Sequence, residues 1–132
     1  MELEKIKFLF LDFGNAISSL EEALAFESTD INIDGTIQRF EFTFELAWKL
    51  IHVIAAYQGK EEEARNPRNA FRYGTYVKLI DDVEAWFGFL NARNSTVHLY
   101  NKTASRKVYN QIKAFPVLAK KLINEVKKEF SF

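Results

Sequence analysis

The densest group of reactive side chains in this 132-residue chain lies in one short run, Arg93-Asn94-Ser95-Thr96-Val97-His98-Leu99-Tyr100. Histidine exchanges protons near neutral pH. Arginine holds phosphate groups and offsets developing negative charge. Together these two types would cleave RNA without a metal, with His98 moving a proton at the ribose 2′-hydroxyl and Arg93 stabilising the crowded phosphate. Asn94 and His98 are four apart and share a helical face, so the amide is placed to orient the imidazole. Arg93 and His98 are five apart, about 140° around a regular helix. They converge only if the helix distorts near Ser95–Thr96 or if the groups meet across a two-fold interface. One His and one Arg make a thin site, and a two-fold pair of chains would place two of each in one groove. Tyr100, two residues beyond His98, projects its hydroxyl into a cleft or into solvent. Spacing alone favours a plainer account, because Arg, Asn and His at a helix end commonly act as caps, surface pairs or dipole partners.

Other residues invite the same weighing. Arg68 and Arg72 are four apart, with Arg65 and Lys78 nearby, and could grip RNA phosphates or an acidic partner surface. A solvated face balanced by Glu61, Glu62 and Glu63 is the plainer reading. Glu41 and Glu45 stand one turn apart, but no further ligand has matching spacing, so no metal site is expected. A Glu45–Lys49 helix pair worth about 0.2–0.5 kcal/mol is the simpler expectation. His52 reads as a packed or surface histidine, and Trp48 and Trp86 as core. No Gly-rich phosphate loop or nucleophile elbow is present, so the chain is not expected to hold ATP or another cofactor itself.

The elements that must carry these groups are helical. Leu3, Ile6, Phe10, Phe13, Ile17, Leu20 and Leu24 recur at spacings of three and four, which predicts a first helix. A loop over 28–34 follows, with Asp34 as the expected N-cap of a second helix over about Thr36–Tyr57 and Gly59 as its stop. That helix has apolar residues around most of its circumference, which predicts burial on more than one side and a second cover supplied by another copy or a partner. Asn66-Pro67 reads as N-cap and first position of a short helix ending near Gly74. A fourth helix is expected over about Ile80–His98, and a fifth begins at a Thr103 cap. Pro116 lies within its pattern, where the missing N–H and the crowded Ile112 carbonyl predict a kink or a break. The expected fold is all-α: a single-domain antiparallel up-and-down four-helix bundle over residues 1–132, with one extra short helix.

Composition sets the remaining bounds. Hydrophobic residues make up 48% of the chain, enough for a real core, and 13 Phe, 5 Tyr and 2 Trp make it strongly aromatic. Lys plus Arg and Asp plus Glu are equal at 18 each, so any basic site must be local. The absence of cysteine excludes disulfides and thiolate metal sites and fits a reducing compartment. The apolar run near the start breaks at Asp12 and is too short to span a bilayer, so a soluble cytoplasmic protein is expected.

Three segments, taken in order, carry a resemblance: Phe40-Glu41-Phe42-Thr43-Phe44-Glu45-Leu46-Ala47-Trp48-Lys49, then Asn66-Pro67-Arg68-Asn69-Ala70-Phe71, then Arg93 through Asn101. The chain resembles the nucleotidyltransferase substrate-binding protein family, a branch of the HEPN superfamily with toxin relatives of the HepT type. The resemblance spans nearly the whole chain. It implies a homodimer with a cleft at its interface, encoded beside a minimal nucleotidyltransferase that it binds. It implies that Arg93, Asn94 and His98 match the Arg-x4-His motif of metal-independent ribonucleases. In related toxin–antitoxin pairs the motif extends to a tyrosine, here Tyr100, which the partner silences with adenylyl groups from ATP. ATP would thus enter only through the transferase. A non-catalytic module that docks substrate to the transferase is the alternative implied by the family's name.

Overall fold

A computed structural model of the chain describes residues 2–132. It contains six helices: α1 (Glu2–Leu24), α2 (Asp30–Tyr57), α3 (Pro67–Tyr76), α4 (Val83–Ser95), α5 (Lys102–Ile112) and α6 (Phe115–Phe130). Two 3-10 turns, Glu61–Ala64 and Thr96–His98, join them, and no strand occurs among the described residues. The long arms are α1, α2, α4 and the α5–α6 pair, with α3 as the extra short helix. This is the all-α, up-and-down bundle predicted from the periodicity.

The local rules explain most boundaries. Gly59 adopts φ 76 just past α2, a left-handed conformation that costs glycine little. The Asn66 side chain accepts from the Asn69 N–H, and Pro67 opens α3 without losing a bond. Pro116 produces a break rather than a kink. The fourth arm stops at Ile112 and resumes at Phe115, with the proline in the first turn of α6.

Five boundaries differ from expectation, one of them the end of α4, at Ser95 rather than His98. The α2 helix starts at Asp30, capped by Thr29, whose hydroxyl accepts from the Asn32 N–H at 3.2 Å. Burying Ile33, Thr36 and Ile37 outweighs the roughly 1 kcal/mol that a helical Gly35 costs. The α3 helix runs on to Tyr76, and α4 starts at Val83 under an Asp82 cap. The Leu79 and Ile80 N–H groups are instead committed to the Gly74 carbonyl. Asn101, not Thr103, caps α5, since its side chain accepts from the Ala104 N–H at 2.9 Å.

Much of the cover of α2 comes from the chain itself, while Phe42 on its second apolar face stays 44% exposed. The helix packs against α1, α3, α4 and α5 at once. Its apolar faces meet in a cluster of rings: Phe115 lies 5.1 Å from Phe40, 5.5 Å from Trp86 and 5.1 Å from Phe89, all edge-on. Phe71 joins α3 to the cluster through Phe44 and Trp86. The result fixes α4, and so the segment that follows it, against the centre of the bundle. No helix among the described residues is long and apolar enough to cross a membrane.

Candidate functional site

Two hydroxyls near the end of α4 bond back to backbone carbonyls. Ser95 donates to the Asn91 carbonyl at 3.0 Å. The Thr96 hydroxyl lies 2.7 Å from the Arg93 carbonyl and 3.1 Å from a Glu41 carboxylate oxygen on α2, and shares its one proton between them. Such side-chain bonds compete with the regular ladder, and the chain tightens into the 3-10 turn Thr96–His98. Leu99 then packs onto the core, whereas Tyr100 stands 83% exposed.

This turn is the distortion expected near Ser95–Thr96, yet it does not bring Arg93 to His98. A 3-10 turn advances about 120° per residue, so the two side chains end about 160° apart rather than 140°. Within the chain they diverge. Asn94 is also rotated from His98, by about 100°, and makes no side-chain hydrogen bond with it. The imidazole has a different partner: His98 Nδ1 lies 3.2 Å from the Tyr100 hydroxyl, with the donor set by the tautomer. The Arg93 guanidinium is half-buried and has no hydrogen-bond or ion-pair partner among the described residues.

His98 and Tyr100 open onto two adjoining clefts. His98 lines one of about 280 Å³ between α4 and α5, where Asn91, Ser95, Lys107 and Gln111 supply polar groups over an Ala92–Val108 floor. Tyr100 lines the other, about 260 Å³, with Asp30, Lys102 and Arg106. Asp30 pairs with Lys102 at 2.9 Å and with Arg106 at 3.1 Å, tying the start of α2 to the start of α5 beside Tyr100. The hydrogen bond from Lys102 leads in holding the Asp30 carboxyl below its ordinary value. A carboxyl lowered on folding adds stability above its unfolded-state value, and that increment is lost as pH falls through the folded one. Asp30→Asn should therefore flatten the fall in stability below about pH 4, read from urea midpoints across that range.

The remaining sequence candidates separate clearly. Arg68 and Arg72 lie over the Phe87 ring, 4.4 Å and 5.6 Å from its centroid, and neither has a carboxylate partner among the described residues. Glu62 pairs with Arg65 instead, and Glu61 faces His52. His52 is a packed histidine, its Nδ1 2.7 Å from the Ala64 carbonyl. Glu45 does not pair with Lys49, because it accepts from the Trp48 indole at 2.9 Å. Among the described residues, no group of three or more His, Cys, Asp or Glu could hold a metal. Sequence reasoning missed the role of Glu41. Its contact with Thr96 spans 55 residues, and no local pattern signals it.

The sequence matches the family described as nucleotidyltransferase substrate binding protein like over residues 9–128. A Haemophilus influenzae protein named probable ribonuclease HepT is 31% identical over 109 residues, covering 74% of this chain and 69% of that protein. A crystal structure from Thermus thermophilus superposes with a TM-score of 0.79 at 26% identity, over 87% of this chain and 98% of that one. A Haemophilus influenzae structure is described as revealing the fold of a substrate binding domain of a nucleotidyltransferase. It superposes with a TM-score of 0.69 at 24% identity, over 95% of this chain and 98% of that one. At that identity it speaks to the fold alone.

Proposed function

We propose, from the premise that this chain belongs to the nucleotidyltransferase substrate binding protein like family, that it is the ribonuclease half of a two-component, toxin–antitoxin type system. In this reading it forms a homodimer, cleaves RNA without a metal through Arg93 and His98, and is silenced by a minimal nucleotidyltransferase at Tyr100. The observation that carries the reading is the His98–Tyr100 contact at 3.2 Å, in a chain that is a relative of a probable ribonuclease and whose Arg93 has no partner among the described residues.

The chemistry follows from the groups. Neutral His98 accepts the proton of a ribose 2′-hydroxyl, and the freed oxygen attacks the adjacent phosphorus. The 5′-oxygen leaves and takes up a proton, giving a 2′,3′-cyclic phosphate and a 5′-hydroxyl end. Arg93 holds the phosphate as its charge grows. Because Arg93 and His98 diverge within one protomer, this requires a two-fold pair in which each wall of a shared groove contributes both groups. Asn94, exposed beside Arg93, is then placed to contact the strand rather than to orient the imidazole.

Tyr100 is exposed enough for a transferase to reach. Its phenolic oxygen attacks the α-phosphorus of ATP, pyrophosphate leaves, and the phenolic proton is lost to solvent. The product puts negative charge beside His98, where it repels RNA phosphate, and removes the hydroxyl proton from that contact. Lys102 and Arg106 line the same cleft and would meet the new phosphate.

The divergence of Arg93 from His98 also favours a second reading, a non-catalytic module that presents substrate to the transferase. Purified protein incubated with RNA and excess chelator decides between them. We expect cyclic-phosphate ends that disappear after treatment with the transferase and ATP, together with adenylyl mass on Tyr100 and none on Tyr100→Phe. Intact RNA and an unmodified Tyr100 would leave only the docking module.

A further inference from the structure

We infer that Arg68 and Arg72, seated on Phe87, form a clamp for the phosphates of single-stranded RNA, remote from the cleavage position. The inference rests on the RNA reading above but on a different surface. Both guanidinium groups lie over the same ring, and neither is paired with a carboxylate among the described residues. A guanidinium over a ring makes no hydrogen bond to it and keeps its N–H donors for another partner, and two such groups suit a phosphate that needs forked donors. The ring holds the side chains in place, so less rotamer entropy is lost when an anion binds.

Position links the clamp to His98. Phe87, Asn91 and Asn94 recur at spacings of four and three and share one face of α4. That face leads from the clamp towards the 3-10 turn, and the axial distance from Phe87 to His98 is about 18 Å. A dinucleotide cannot reach from one to the other, whereas a longer strand can.

The other side of Arg72 argues for a nucleic acid over an acidic protein. There, a groove of about 430 Å³ is lined by Asn69, Arg72, Tyr73, Tyr76 and Glu63. Tyr76 is 81% exposed, with its ring 6.4 Å from Tyr73, and its open side can take a stacked base. The Asn69 side-chain amide has no hydrogen-bond partner among the described residues, and Glu63 can accept from an exocyclic amine but opposes a phosphate. Cation, aromatic ring and amide thus alternate, with the phosphate on the Arg68 side and a base on the Tyr76 side. An acidic protein surface would need the cations and not the ring.

The test uses the full chain, fluorescein-labelled single-stranded RNA of mixed sequence, and anisotropy across a salt series, in a His98→Ala background so that the probe stays intact. Removing two phosphate contacts through R68A/R72A should weaken binding and lower the slope of log affinity against log salt by about 1.4. The R68K/R72K variant should restore most of that slope, since the charge remains. Tyr76→Ala should weaken binding with the slope unchanged. With His98 present, R68A/R72A should leave dinucleotide cleavage unaltered while cleavage of long RNA falls at least tenfold. An unchanged salt slope overturns the clamp, even if cleavage by wild type is strong. Loss of transferase binding with RNA affinity intact overturns it too, and makes the surface a protein dock. A wild type that binds RNA through this pair yet never cleaves it would sink the ribonuclease reading and leave the clamp standing.

Discussion

His98→Ala should lower metal-independent RNA cleavage by about 10²–10⁴-fold, the usual contribution of a positioned proton-transfer group. The effect should be confined to chemistry. His98 is exposed, and its only side-chain hydrogen bond among the described residues goes to Tyr100, itself exposed. The turn that carries it is held by other groups: Thr96 on the Arg93 carbonyl and on Glu41, and Leu99 against the core. Unfolding free energy should therefore stay within about 0.5 kcal/mol of wild type, as for exposed positions generally. Rates on end-labelled RNA in excess chelator, paired with urea unfolding, measure both quantities. Equal rates for the two proteins would mean that any nuclease activity in the preparation lies elsewhere. A large loss of stability would mean that the imidazole is a structural post.

The largest effect on stability should come from the centre of the ring cluster. Phe115 is 0% exposed and touches rings from α2 and α4 at once. Truncating such a side chain removes its transfer free energy and leaves a cavity between helices that cannot close fully, so Phe115→Ala should cost about 3–5 kcal/mol. Phe8→Ala is the matched control: its ring is 65% exposed, and its loss should change stability by less than about 0.5 kcal/mol. Urea midpoints with unchanged slopes would report both values. A Phe115→Ala cost below about 1 kcal/mol would contradict the account of the core as one interlocked aromatic unit. Because Phe115 also seats Trp86 and Phe89 of α4, its truncation should loosen the helix that carries Arg93.

Much of the fold was readable from short-range signals. Asn66-Pro67, Gly59 and Pro116 act on their own neighbours, and each has its expected effect. The misjudged starts share a cause. Thr29 and Asn101 compete with Asp34 and Thr103 as caps, and all four residue types suit the position. Burial settles the competition at α2, where Ile33 must reach the core. Likewise, the apolar girth of α2 indicated burial on several sides but not which elements pack there, because four different helices of the same chain meet it.

The sequence by itself determined that the chain is all-helical, which helix ends in a reactive segment, and which residue types that segment contains. These follow from periodicity and adjacent caps, which act within a few residues. Only the tertiary structure decided where the reactive groups point. The 3-10 turn forms where Thr96 meets Glu41, a residue distant in the chain, and its tighter advance separates Arg93 from His98 while seating the imidazole against Tyr100. Arg68 and Arg72 likewise become one unit only because α3 packs beside α4 and places Phe87 beneath both. Side-chain direction at a helix end depends on long-range packing and hydrogen bonds, and residue spacing along the chain does not encode them.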